Sequence, residues 1–211
     1  MLPRGPHGLD REVVLASQRG RLLSSFVSQA AERGFTAVTI SDIVRGAGTA
    51  KRTFYEHFRD KDDCFLQAFD VASELVIGAV VDAVSAEPDP VARIEVGVRS
   101  YLAALAAHPE FARLFLTHMR AAGPQLAGRY RQWLEMLATV VVQWRSESRA
   151  AGSSLPALTP LQALAGIAAV NEIVGMTLEV EGLEALGAVE EELTAVTITF
   201  LTADVSRGAG A

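Results

Sequence analysis

Cysteine is almost missing from this 211-residue chain: Cys64 stands alone, so no disulfide can close within it, and a lone thiol fits a reducing compartment. It falls early in a predicted helix beside Phe65, where packing is expected over redox sensing. Histidine is scarce too. His7, His57, His108 and His118 lie too far apart for a metal-ligand signature, and no Ser/His/Asp grouping is readable. No catalytic residue, metal or cofactor is therefore expected, and the chain is not read as an enzyme. No secretory signal is expected, because no apolar run follows Met1-Leu2-Pro3-Arg4. Mean hydropathy is positive, +0.24, yet the longest uncharged stretch, Ala150 to Asn171, is interrupted by Gly152, Ser153, Ser154, Pro156 and Pro160. The helix left over is too short for a bilayer, so no membrane partner and a cytoplasmic location are expected.

Half of the residues are hydrophobic, enough for a buried core and against disorder throughout. The net charge of −6 looks wrong for a nucleic-acid binder until the chain is divided. Residues 1–60 hold nine Lys and Arg against six Asp and Glu, whereas residues 61–211 hold ten against nineteen. A basic module on an acidic body follows, with the domain boundary expected at Asp60 and Lys61.

The basic module contains the stretch Thr39 to Lys61, TISDIVRGAGTAKRTFYEHFRDK. Thr39 is suited to cap a helix from Ile40 to Arg45, which the Gly46-Ala47-Gly48 turn then stops. A second short helix carries Lys51, Arg52, Thr53, Tyr55 and His57, and a tight pair of this kind suits insertion into a DNA major groove. Lys51 and Arg52 can donate to guanine O6 and N7, Arg52 in bidentate fashion. Thr39, Tyr55, His57 and Lys61 suit phosphates. The bland alternative is a solvated basic face with Tyr55 in the core. Upstream, a helix from Arg11 to Arg33 with an apolar stripe through Leu22, Leu23, Phe26 and Ala30 supplies the platform. Residues 1–9 read as an arm, with a disordered tail favoured over a groove-tracking segment. The run Gly46 to Lys51 lacks the spacing of a nucleotide-phosphate loop.

Beyond Asp60, a good cap, a helix is predicted from Lys61 to about Ser85, then others at about Val91–Ala107, Pro109–Arg120, Gln125–Ala151 and Pro160–Glu181. Val189 to Thr202 fits both strand and helix spacing. Glu190 to Glu192 favour a helix start, and a lone strand would have no partner. On these helices Tyr101, Phe111, Phe115, Met119, Trp133 and Met136 are large enough to surround a cavity, together with Leu137 and Met176. His118, Gln132 and Asn171 are its candidate polar contacts. For any one of these residues an ordinary filled core is the simpler reading.

Gly34-Phe35, Thr39, Ile43-Val44, Ala47-Gly48, Thr53-Phe54-Tyr55, His57-Phe58 and Lys61 closely resemble the DNA-binding domain of the TetR family of transcriptional regulators, over roughly residues 11–70. One position departs: the family usually has serine capping the recognition helix, where this chain has Ala50, and Thr49 is the alternative cap. The resemblance implies an all-α fold of about nine helices, with an N-terminal three-helix helix-turn-helix domain and a larger ligand-binding and dimerisation domain. It also implies double-stranded DNA as partner, with Thr39, Ser41, Lys51, Arg52, Thr53, Tyr55, His57 and Lys61 at DNA-facing positions. A homodimer through the last two long helices and a small-molecule effector are further implications. The reading is a repressor released from a pseudo-palindromic operator by a small, largely apolar effector.

Overall fold

Every regular element among the described residues is helical. The structure, a computed structural model, describes residues 11–117 and 124–205, with the backbone alone for residues 11–16. The helices are α1 (Arg11–Arg33), α2 (Ile40–Gly46), α3 (Lys51–His57), α4 (Lys61–Ser85), α5 (Pro90–Ala107), α6 (Pro109–Ala112), α7 (Pro124–Ala150), α8 (Pro160–Val180) and α9 (Leu186–Thr202).

Caps and prolines set these boundaries. Asp60 Oδ1 accepts from Asp63 N at 2.8 Å to start α4. Asp89 Oδ1 accepts from Val91 N and Ala92 N, so α5 begins at Pro90, one residue ahead of expectation. Thr159 caps α8 through Gln162 N, with Pro160 in the first turn, where its missing N–H costs nothing. The helix expected over Pro109–Arg120 is instead α6 followed by a π-helical turn, Arg113–Thr117; its last three residues lie outside those described. A 3₁₀ turn, Leu183–Ala185, leads into α9, which starts three residues before Val189. Glu190 to Glu192 thus occupy its second turn, and the reason given for a helix start there does not hold, although the helix does.

The chain divides into two compact units, one ending at Asp70 and one beginning at Val71, so the boundary falls within α4. In the first, Leu22, Phe26, Ile43, Phe54, Phe58 and Phe65 are fully buried. Phe26, Phe35 and Phe65 meet edge to face with centroids 5.1–6.2 Å apart. Such pairs add about 0.5–1.5 kcal/mol each beyond burial, which matters in a core this small.

In the second unit α8 packs between α7 and α9, and α5 lies on α9. Small residues allow these approaches: a Cβ on Gly166 would stand 2.9 Å from the Leu201 side chain. The carbonyls at the end of α9, which have no partner within the helix, are met from its neighbours. Gln162 Nε2 donates to Phe200 O and Ala203 O, and Arg145 Nη2 donates to Leu201 O at 3.1 Å. By length and composition α4 and α8 are apolar enough to cross a membrane, which the uncharged-stretch criterion missed. Helix packing accounts for the character of α8, because Gln162 and Asn171 are buried on it with their side chains hydrogen-bonded inside the protein.

Candidate nucleic-acid interface and ligand cavity

The interface is built upward from α1. Ser25 Oγ donates to Ile43 O at 2.9 Å and Gln29 Nε2 to Asp42 O at 3.1 Å, fastening α2 to α1 by its carbonyls. The start of α2 is a capping box: Thr39 Oγ1 accepts from Asp42 N, and Asp42 Oδ2 accepts from Thr39 N. The Thr39 hydroxyl, which donates to Asp42 Oδ2 at 2.6 Å, and after it the Thr39 amide hold the Asp42 carboxyl below its ordinary range. Gly48, at φ +62°, takes the left-handed position in the turn, a conformation that costs other residues energy.

Ala50 is then the N-cap of α3, in extended geometry and with no side-chain hydrogen bond. The alternative of a Thr49 cap fails: its Oγ1 is buried without a hydrogen-bond partner. Phe54 and Phe58 anchor α3 inward, while Lys51, Arg52 and Tyr55 are exposed. Tyr55, at 58% exposure, is therefore not a core residue. Arg52 pairs with Glu56 through Nε at 3.1 Å, which leaves both terminal nitrogens for the bidentate contact. An exposed pair of this kind is worth about 0–1 kcal/mol and yields readily to another anion.

Thr39 is exposed, whereas Ser41, Thr53, His57 and Lys61 are half-buried. His57 Nε2 is buried with no hydrogen-bond partner. The Lys61 ammonium donates to Phe35 O at 2.8 Å and Val38 O at 2.9 Å and stands 4.3 Å above the Phe35 ring. Burial draws its pKa down. It ties the segment between α1 and α2, which its spacing in the sequence did not reveal.

Within the second unit lies a cavity of about 310 Å³, at the small end of the ~300–1,000 Å³ range of small-molecule sites. Its walls come from the second half of α4 and from α5, α7, α8 and α9. Tyr101, Trp133, Met136, Leu137 and Asn171 line it. Tyr101 Oη donates to Asn171 Oδ1 at 2.7 Å, Asn171 Nδ2 donates to Ile167 O, and burial raises the phenol pKa.

The other candidate residues sit elsewhere. Phe111 and Phe115 are buried against each other, with centroids 4.8 Å apart, away from the cavity wall. Gln132 is exposed, and so is Met176, because five residues beyond Asn171 the helix has turned about 140°. His118 and Met119 lie outside the described residues. Sequence reasoning missed the valine face of α4, in which Val76, Val80 and Val84 recur every four residues, and also Trp144, Arg93 and Arg145. The valine repeat was a readable signal; nothing in the sequence marks Arg93. Among the described residues no three His, Cys, Asp or Glu side chains converge as a metal site would require.

Comparisons with known proteins place this geometry. Residues 22–68 match the family described as bacterial regulatory proteins, tetR family. The HTH-type transcriptional regulator EthR of Mycolicibacterium smegmatis is 27% identical over 166 residues, covering 74% of this chain and 72% of that protein. The HTH-type transcriptional repressor KstR2 of Mycobacterium tuberculosis is 30% identical over 79 residues, 37% of this chain and 40% of the relative. Among solved structures, the fatty acid degradation regulator FadR of Bacillus halodurans superimposes with a TM-score of 0.76 at 17% identity, covering 93% of this chain and 97% of its own. FadR of Bacillus subtilis, in complex with stearoyl-CoA, does so with the same score and identity over 86% and 98%.

Proposed function

We propose that this chain, whose residues 22–68 match the tetR family of bacterial regulatory proteins, is a DNA-binding transcriptional repressor that leaves a pseudo-palindromic operator when a small, largely apolar effector occupies the α4–α9 cavity. The observation that carries the reading is the division of labour on α3: Phe54 and Phe58 hold the helix, and Lys51, Arg52 and Tyr55 face outward. Lys51 and Arg52 read base edges, while Thr39, Ser41, Thr53, Tyr55, His57 and Lys61 fix the register on the backbone. The compact unit that ends at Asp70 serves as the DNA-binding domain, and the unit from Val71 as the ligand-binding and dimerisation domain.

The protein acts as a homodimer through α8 and α9, in the cytoplasm. Six large apolar side chains stand exposed on these helices, Leu161, Ile173, Met176 and Val180 on α8 and Val196 and Phe200 on α9, and a self-complementary face would cover them. Two copies of α3 then enter successive major grooves about 34 Å apart. The stearoyl-CoA in one structural neighbour supports an effector with a long apolar part. Helix α4 starts at Lys61 and supplies Val76, Val80 and Val84 to the cavity, so an occupant there bears on the helix that follows α3. A coupling of about 1–3 kcal/mol weakens operator binding roughly 5- to 150-fold.

Selection of duplexes from a random pool by the full-length protein tests this reading. It should return a two-fold symmetric site, and Arg52→Ala should lose about 1–3 kcal/mol at one base pair of each half-site. A variant equally weakened on every sequence would remove base reading by Arg52, and a pool without a shared site would remove the operator.

A further inference from the structure

Two guanidinium groups interrupt a wall that is otherwise nearly all hydrocarbon. Arg93 of α5 and Arg145 of α7 both line the 310 Å³ cavity, and Ser148, one turn beyond Arg145, lies with them. Arg93 directs Nε and Nη2 to Glu87 O, at 3.0 and 2.6 Å. Arg145, which is buried, directs Nη1 to Pro156 O and Nη2 to Leu201 O, both at 3.1 Å. These partners are backbone carbonyls throughout. Each guanidinium has five N–H donors, so most of their capacity is left over.

Among the described residues neither group meets a carboxylate within 4.0 Å, and none of the acidic ones lines the cavity. A second, polar hollow of about 720 Å³ shares Pro90, Arg93 and Ser148 with the first. Its two acids are engaged elsewhere: Asp89 accepts the first amides of α5, and Glu147 accepts from Gln143. Carbonyl dipoles explain how these arginines hold their loops and the end of α9. They do not supply the counter-charge that buried Arg145 needs, and a cation without one is costly; Arg93, half-buried, bears a smaller part of that cost.

We infer that the cavity takes an amphipathic anion, its apolar chain along the valines of α4 and its negatively charged head between Arg93 and Arg145. The inference rests on the effector reading above and specifies its chemistry. Planar guanidinium groups bind carboxylate and phosphate oxygens in pairs, and a dry surround strengthens such bonds. A fatty acid's own carboxylate and the phosphates of a thioester carrier both supply such a head, and the test below distinguishes them.

Both tryptophans of the chain, Trp133 and Trp144, line the cavity, so their fluorescence reports occupancy. The test titrates the full-length protein with dodecanoate, dodecanoyl-coenzyme A and dodecan-1-ol, below their micellar concentrations. The expected result is that at least one anion binds tenfold or more tightly than the alcohol, and the tighter anion identifies the source of the head. Arg93→Gln and Arg145→Gln should bring that ratio close to one while the alcohol still binds, which also shows that the variants are folded. If the alcohol binds as tightly as both anions, or the ratio survives both substitutions, the anionic head is overturned and the apolar effector stands. If none of the three binds, the effector reading falls and this inference with it.

Discussion

Gly46 closes α2 where that helix lies on α1, and alanine there sets two effects against each other. Backbone entropy predicts that Gly→Ala within a helix gains up to about 1 kcal/mol. The contacts predict a loss. A Cβ on Gly46 would stand 2.3 Å from Ser25 Oγ and 2.8 Å from Gln29 Nε2. Ser25 Oγ holds Ile43 O and also accepts from Gln29 Nε2, which holds Asp42 O, so the two side chains move together or not at all. Displacing them forfeits two hydrogen bonds at about 1 kcal/mol each and adds about 1 kcal/mol or more of overpacking, leaving a net loss of about 2 kcal/mol after the entropic gain. Urea unfolding read by amide hydrogen exchange within residues 22–58 isolates the first unit. Ser25→Ala removes the hydroxyl and leaves its Cβ 3.4 Å from the new methyl, an ordinary contact. The double variant should therefore be more stable than the sum of the singles by about 1 kcal/mol. A Gly46→Ala protein as stable as the parent, or a strictly additive double variant, would refute the reasoning.

Ala50→Ser supplies the missing N-cap oxygen in backbone geometry already suited to it, and should slow exchange over Lys51–Tyr55 by an amount equivalent to about 1 kcal/mol; unchanged exchange would mean the cap is not limiting. Lys61→Met should destabilise the first unit by about 2 kcal/mol through loss of two charge-assisted hydrogen bonds, and should lower the salt slope of operator binding by about one; an unchanged slope would remove Lys61 from the phosphate contacts. Burial, with Asp63 adding to it, pushes the Cys64 thiol from 9.0 up to about 12. The folded protein therefore keeps a proton that the unfolded chain releases above pH 9. Stability should fall by about 1.4 kcal/mol per pH unit from there toward pH 12 through this group, a slope that Cys64→Ala removes. Met176→Glu, on the exposed face of α8, should convert the dimer to a monomer in sedimentation while leaving dodecan-1-ol binding intact; a parent protein that is already monomeric at micromolar concentration would end the two-fold mechanism.

The sequence by itself determined the helices and the order of the recognition unit, because both are written in local chemistry. Thr39 with Asp42, Asp60, Asp89 and Thr159 satisfy free amides within a turn of themselves, and Pro90, Pro109 and Pro160 can stand only at helix starts. The spacing of Phe54 and Phe58 placed Tyr55 on the open side of α3 once the helix was granted. Tertiary structure alone decided the cavity. Periodicity states which residues share a helix face, but not which faces meet. Tyr101, Trp133 and Asn171 come together from three helices, whereas Phe111 and Phe115, equally apolar, fill space against each other. Arg93 and Arg145 read in sequence as ordinary surface cations. Arg145 becomes a buried charge, and Arg93 a half-buried one, in an apolar wall only because α5 and α7 line the same void, a relation that no local pattern carries.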